Sequence, residues 1–477
     1  MEKLARRRFL TQSVAAIGWV GMGTLIHAQD VLSIQAGHSE DSACRMPENF
    51  TGLSYEMPQL YSPEFFSATN GELLEAFHGL GRHGVLRMGG SLSEFTRWQP
   101  ERGDFSTAKE DEAIRAQRNW EWRLTNSASI RGGQGAITPA SLKELRRFLD
   151  ATGWQCIYGL NFGSGSAARA ADEANHVYRI LGRRLLCFQL GNEADLFSSN
   201  PLLRHRPYDF EQYWAENRQF VATVRALQPK AQFAGPDVAG NLAWVRRYAE
   251  RAKGEAPFVS AHHYAMGPAK DPAMNVDRLL ARHDSALEKY VTEVGKIVAD
   301  CGVPFRLTEC NSCFGGGKDG VSNTFASALW AADFMLHLAS AGCIGVNLHG
   351  GGDGIYTPIE SSENGQALRP LYFGMQFAGK FAGFEIARYS LPEGVDASAY
   401  VARRQKTACI AVVNKSAERL TVAFDLAQTK AIPSACEVLS APALSAKDGV
   451  SLRSVNVHGA DAIIVEPFTS VLCRWDG

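Results

Sequence analysis

At 477 residues, with 45% hydrophobic and 21% charged side chains, the chain is long enough for one large domain and a smaller one. Its 49 Lys and Arg against 50 Asp and Glu give a formal net charge of -1 and leave no basic excess for nucleic acid. Residues 1–28 read as an export signal. Arg6-Arg7-Arg8-Phe9-Leu10 precedes an apolar stretch from Val14 to Ile26 that is too short to span a bilayer comfortably, and Ile26-His27-Ala28 offers a small-residue cleavage site. An arginine cluster followed by Phe-Leu is of the twin-arginine type, so the expected location is periplasmic or secreted, without stable membrane insertion once the signal is gone. Residues 29–48 form an N-terminal segment in which Val31 to Ile34 offers a strand to a later β domain.

Eight short apolar runs follow, separated by helical patterns. They are Phe50 to Tyr55, Gly84 to Met88, Gln155 to Leu160, Arg184 to Leu190, Gln232 to Gly235, Phe258 to Ala261, Pro304 to Thr308 and Cys343 to Leu348. Between them, Ser141 to Ala151, Ala167 to Leu181 and Phe210 to Leu227 read as helices, with Asp172, Glu173 and Glu211 near their starts, where the macrodipole favours acids. Strand and helix alternating eight times predict an α/β fold, a (β/α)8 TIM barrel over 49–382. From about Gly383 the rhythm changes to short strands divided by turns such as Asn414-Lys415-Ser416, which predicts a C-terminal β-sandwich over 383–477. Of the ten cysteines, Cys156, Cys187 and Cys343 fall inside predicted strands as small buried hydrophobes. Some of Cys44, Cys301, Cys409, Cys436 and Cys473 have the option of pairing. Cys310 and Cys313 lack the second cysteine or histidine pair of a zinc site, and the 12 histidines show no His-x-x-x-His spacing, so neither metal nor cofactor is expected.

Two glutamates end strands of this predicted barrel. Glu193 follows Gly191-Asn192 at the tip of the fourth strand, and Glu309 follows Thr308 at the tip of the seventh. Carboxylates at the C-terminal ends of barrel strands point into the mouth where such enzymes do their chemistry. Two of them from distant strands predict a retaining glycoside hydrolase, with one acid/base and one nucleophile. For an isolated Asn-Glu the plainer reading is a helix cap; the shared setting favours catalysis. Arg87, inside the second strand, is placed to keep Glu309 ionised. Of His262 and His263, one is expected to bond the nucleophile or Glu56. Trp98, Trp120 and Trp122 offer either a sugar-stacking platform or buried anchors.

In this order and spacing, Leu86-Arg87-Met88-Gly89-Gly90, Gly191-Asn192-Glu193, Gly235-Pro236-Asp237, His262-His263-Tyr264, Thr308-Glu309-Cys310-Asn311-Ser312, Gly315-Gly316-Gly317 and Gly354-Ile355-Tyr356 resemble glycoside hydrolase family 79, the β-glucuronidase and heparanase family. The resemblance covers nearly the whole chain after the export signal. It implies Glu193 as acid/base and Glu309 as nucleophile. It also implies Glu56 on sugar hydroxyls, Asn192 on the 2-hydroxyl, and Gly315, Gly316 and Tyr356 on a uronic carboxylate, with Ser91, His263 and Tyr264 as further substrate contacts. One position departs: Phe314 stands where the family carries a tyrosine, and it removes one hydrogen bond to that carboxylate. The expected partner is a glycan or glucuronide cut by exo action, since the loop from Asp195 to Arg206 has only Arg204 and Arg206 as charged bases and the net charge is near neutral. Alternatives that stay open are an endo-acting heparanase-like enzyme, a barrel hydrolase for a neutral sugar, and a non-catalytic carbohydrate-binding protein. The oligomeric state is not specified by these features.

Overall fold

The structure, a computed structural model, describes residues 31–35, 43–101, 135–200, 202–281, 285–350, 354–362, 364–425, 432–456 and 462–476. The expected export signal, Trp120 and Trp122 lie outside these residues. The strands are β1 (Leu32–Gln35), β2 (Cys44–Arg45), β3 (Thr51–Glu56), β4 (Val85–Gly89), β5 (Gln155–Leu160), β6 (Leu185–Leu190), β7 (Phe233–Val238), β8 (Val259–Met266), β9 (Phe305–Cys313) and β10 (Val346–His349). Of these, β3 to β10 close a parallel barrel in sequence order, with β10 beside β3. Helices return the chain between strands, and their ends follow local chemistry. Thr138 and Ser141 form a capping box ahead of the helix Pro139–Thr152, whose first residue is a proline, and Gly153 ends it at φ 84°. Asp209 caps Phe210–Leu227 in the same way. Contrary to expectation, neither Asp172 nor Glu173 is in the first turn of its helix, and this holds most clearly for Glu173. It lies further along Ala167–Leu181, buried, and accepts a hydrogen bond from the Tyr158 hydroxyl at 2.8 Å.

Alternation along the strands divides the barrel residues between two environments. Leu86 and Met88 of β4 and Phe188 and Leu190 of β6 join the large apolar cluster that also holds the helices. Val85, Ile157, Cys187 and Ala234 form a separate small cluster within the strands. Above it the interior is polar, lined by Arg87, Gln189, Asp237, Ser260 and Thr308, all buried. Four register shifts interrupt the ladders, at Cys156/Ile157, Pro236/Val238, Ala261/His262 and Val346/Leu348.

Past the barrel come β11 (Ile359–Ser362), β12 (Gly365–Leu368), β13 (Glu385–Tyr389), β14 (Ala397–Arg404), β15 (Thr407–Asn414), β16 (Leu420–Asp425), β17 (Ala435–Ser440), β18 (Ser451–Val455), β19 (Ala462–Val465) and β20 (Ser470–Trp475). The pair β11 and β12 is a separate hairpin. Seven strands line up as β18-β17-β20-β15-β14-β13-β2, and three as β1-β16-β19. An apolar cluster with Ile34, Ile410, Val412, Val422, Val471 and Trp475 draws on both of these sheets. Cys436 and Cys473, directly opposite on β17 and β20, are joined in a disulfide. Cys44, Cys301 and Cys409 are not disulfide-bonded in the structure.

Candidate active site

At the C-terminal ends of the barrel strands, Arg87 is the hub. It is 1% exposed, and its five N–H groups all find acceptors. Nε donates to Gln189 Oε1 at 3.1 Å, Nη1 to Ser54 Oγ and Glu309 Oε2, both at 2.9 Å, and Nη2 to Asn192 Oδ1 at 2.7 Å and Asp237 Oδ2 at 2.6 Å. Gly89 leaves room for this head group: a Cβ there would sit 2.6 Å from the guanidinium carbon.

Glu309 does not end its strand as expected. β9 runs on to Cys313, and the glutamate lies inside it. Strict alternation would turn either Thr308 or Glu309 toward the helices. The register shift against β8 lets both face the interior, Thr308 onto Asp237 and Glu309 onto Arg87. The other Glu309 oxygen accepts from the Tyr264 hydroxyl at 2.8 Å. Burial would raise the pKa of this carboxyl, but the charges of His349, His262 and Arg87 and the Tyr264 hydrogen bond hold it well below the usual carboxylate range.

Glu193 enters from β6 through a left-handed turn, at φ 55°. Its backbone amide donates to the carbonyl of Asp237 at 2.8 Å, and its carboxylate meets His262 Nδ1 at 2.9 Å. His262 Nε2 lies 3.3 Å from Asp237 Oδ1. Although burial disfavours charge on this imidazole, Glu309, Asp237 and its hydrogen bonds to Asp237 and Glu193 push its pKa up to about 10. One oxygen each from Glu193 and Glu309 and a ring nitrogen of His262 lie within 4.8 Å of one another. Among the described residues this trio is also the one group near enough to share a cation, at a point where Arg87 already supplies positive charge.

Glu56 lies at the rim, 3.6 Å from His349 Nε2, and accepts from the Leu92 amide at 3.0 Å. Tyr356 places its ring 6.2 Å from that of Tyr264 and 6.1 Å from that of His349. Gly315, Gly316 and Gly317 turn at φ 83°, 90° and 84°, and the Gly316 carbonyl accepts from the Ile355 amide at 2.6 Å, tying the turn to the Tyr356 loop. Nothing lies within 4 Å of a Cβ at Gly315 or Gly316, so their backbone is open. Thus Glu56, Asn192, Glu193, Tyr264, Glu309, Gly315, Gly316 and Tyr356 are brought together. Ser91 is exposed at the start of the turn Ser91–Phe95, and the amide that reaches Glu56 is that of the next residue. His263 is a correction: it is stacked on Phe334 and tilted against Tyr290 in the helix layer, because alternation along β8 gives the interior to His262. Trp98 is a buried anchor that donates to Asp172.

Four residues here were not singled out from sequence: Gln189, Asp237, His349 and Glu94. Only Asp237 stood within a quoted motif. Glu94 is 1% exposed in the turn after β4, and burial raises its pKa to about 6 although four hydrogen bonds oppose this.

No family model matches the chain. Over 94% of its length it is 24% identical to a β-glucuronidase from Aspergillus niger, covering 85% of that protein. A β-glucuronidase from Neurospora crassa is 27% identical over 46% of this chain and 44% of its own. Among solved structures, a 4-O-α-L-rhamnosyl-β-D-glucuronidase from Fusarium oxysporum superposes with a TM-score of 0.71 at 15% identity, covering 93% of this chain and all of that one. A family 51 α-L-arabinofuranosidase from Bifidobacterium longum gives 0.67 at 14% identity, covering 94% and 99%. These likenesses support a glycoside hydrolase built on this barrel.

Proposed function

We propose that the protein is a retaining, exo-acting β-glucuronidase of family 79 type that releases terminal glucuronic acid from glycans. The observation that carries the mechanism is the close approach of Glu193 and Glu309, with oxygens within 4.8 Å. Retaining enzymes hold their carboxyl groups about 5–5.5 Å apart, and inverting ones about 6.5–9.5 Å. Glu309, kept ionised, attacks the anomeric carbon while Glu193 gives its proton to the leaving oxygen. Glu193 then takes a proton from water, whose oxygen attacks the same carbon and frees Glu309. Asn192, fixed through its carbonyl by Arg87, keeps its amide donor for the sugar.

Glucuronate as the sugar is supported by the Aspergillus niger relative and by the open backbone at Gly315 and Gly316, which suits an anion. Exo action is supported by Arg204. Its guanidinium is bonded to Glu216 at 2.7 Å and to the carbonyl of Phe162 rather than presented to an anionic chain. The export segment at 1–28 supports a periplasmic or secreted site of action. A neutral sugar is the second reading, favoured by Phe314: 46% exposed, edge-on to Tyr264, and without a hydroxyl.

Hydrolysis of aryl β-glucuronide, β-glucoside, β-xyloside, β-galactoside and α-arabinofuranoside tests the proposal. Turnover of the glucuronide alone is expected; preference for a neutral sugar would overturn the uronate assignment and leave the barrel chemistry standing. Tyr264→Phe is expected to lower kcat about 10- to 100-fold, the worth of one hydrogen bond to a buried charge, and steady-state kinetics on the preferred glycoside checks it.

A further inference from the structure

Three loops meet on one buried carboxylate beside the site. Glu94 Oε1 accepts from the Asn192 amide at 2.7 Å and from the Ser93 hydroxyl at 3.0 Å. Its Oε2 accepts from the amides of Gly163 at 2.5 Å and Phe162 at 3.1 Å. Its own carbonyl accepts from the Ser164 hydroxyl at 2.6 Å. The loop after β4 therefore holds the loop after β5 and the turn after β6, and it grips that turn one residue before Glu193. Gly163 is close for a reason: a Cβ there would come within 2.9 Å of Glu94 Oε2.

The turn it grips needs holding. Glu193 is a non-glycine residue at φ 55°, a conformation that survives only when its surroundings fix it. Three bonds hold this backbone: the Asn192 amide to Glu94, the Glu193 amide to the Asp237 carbonyl and, within the turn itself, the Leu196 amide to the Glu193 carbonyl at 2.8 Å. The Asp237 bond joins neighbouring strand ends of the barrel. The Glu94 bond comes from two strands away and touches no reacting group.

We propose that Glu94 is a positioning residue for proton transfer, setting through the Asn192 amide where the Glu193 carboxyl meets the leaving oxygen; the proposal rests on the reading of Glu193 as acid/base. A carboxylate suits this post because it is acceptor-only, and all of its partners are donors. Glutamine in its place turns an NH2 onto one pair of donors, and the turn shifts. A shift of about 1 Å in a reacting group costs about 100-fold.

The test compares kcat/KM of Glu94→Gln, Glu94→Asp, Glu193→Ala and wild type. The substrates are aryl glycosides of the preferred sugar, from 2,4-dinitrophenyl to phenyl. Dinitrophenolate departs with little proton assistance, whereas phenolate needs it. Glu94→Gln is expected to lose about 100-fold on the phenyl glycoside and less than about 5-fold on the dinitrophenyl one. Glu94→Asp, still an acceptor-only anion but one methylene short, shows the same dependence more weakly and covers the case in which Glu94→Gln does not fold. An equal loss across the series in Glu94→Gln, or in Glu94→Asp when it alone folds, would show a merely structural role and overturn the proposal. If Glu193→Ala itself shows no leaving-group dependence, the acid/base reading falls and takes this proposal with it. Dependence in Glu193→Ala together with a uniform loss in the Glu94 variant removes only the latter.

Discussion

Glu309→Gln is expected to lower kcat on the preferred aryl glycoside by about 10⁵- to 10⁶-fold, the scale on which removal of a nucleophile acts in other covalent catalysts. Glutamine keeps the shape and one acceptor for Arg87 and Tyr264, yet it cannot form the glycosyl ester. Glu193→Gln leaves the proposed nucleophile intact and is expected to cost about 10²- to 10⁴-fold, the range of general acid–base assistance. The two variants also differ in kind. With a dinitrophenyl leaving group, Glu193→Gln forms the covalent intermediate and then stalls, because no base activates water, so a burst of one phenolate per enzyme is expected. Glu309→Gln gives no burst on any substrate. Rapid-mixing measurement of phenolate release reads both results. A burst from Glu309→Gln, or residual turnover within about 10-fold of wild type, would reassign the nucleophile.

Much of the barrel was legible because each strand is a short apolar run ending in a cluster of turn and polar residues, although the helix expected from Ser141 begins two residues earlier, at Pro139 after its Thr138 cap. Two of the helices, Ala167–Leu181 and Phe210–Leu227, have the bounds expected from sequence. The less legible features depend on register. Whether His262 or His263 faces the interior is a matter of one residue, since the side-chain period of a strand is two. The bulge that turns both Thr308 and Glu309 inward arises from pairing between β8 and β9, which neither strand encodes alone. Glu94 was illegible for a different reason. Nothing in Ser93-Glu94-Phe95 distinguishes it from a solvated glutamate until the loops after β5 and β6 close over it. The left-handed turn at Glu193 was equally hidden, since only Gly191 before it hints at unusual backbone.

Arg87→Met is expected to destabilise the fold by about 3–5 kcal/mol and to move the acid limb of the pH–activity profile toward neutral. The stability loss follows from what stays behind. Asp237 is 1% exposed and Glu309 6% exposed, and both are left buried without the cation that each touches. The sign of the pH effect follows from the same charges. Burial raises the pKa of both carboxyls; Arg87 and His262 more than offset this at Asp237, as His349, His262 and Arg87 do at Glu309, and both pKa values end depressed. A depressed carboxyl contributes stability above its ordinary pKa of about 4, and that contribution is lost as pH falls through the folded value. Without Arg87 the folded values rise, so Glu309 is protonated, and lost as the proposed nucleophile, at a higher pH than in wild type. Arg87→Lys separates charge from geometry. Lysine restores a cation but offers three donors where five acceptors wait, on Ser54, Gln189, Asn192, Asp237 and Glu309. It should therefore recover part of the acid limb while leaving much of the stability loss, as urea denaturation and pH profiles of the two variants would show. Equal stability of Arg87→Met and wild type would mean that the two carboxyls take up protons as readily as they hold the arginine, and the ionised nucleophile would then need another source.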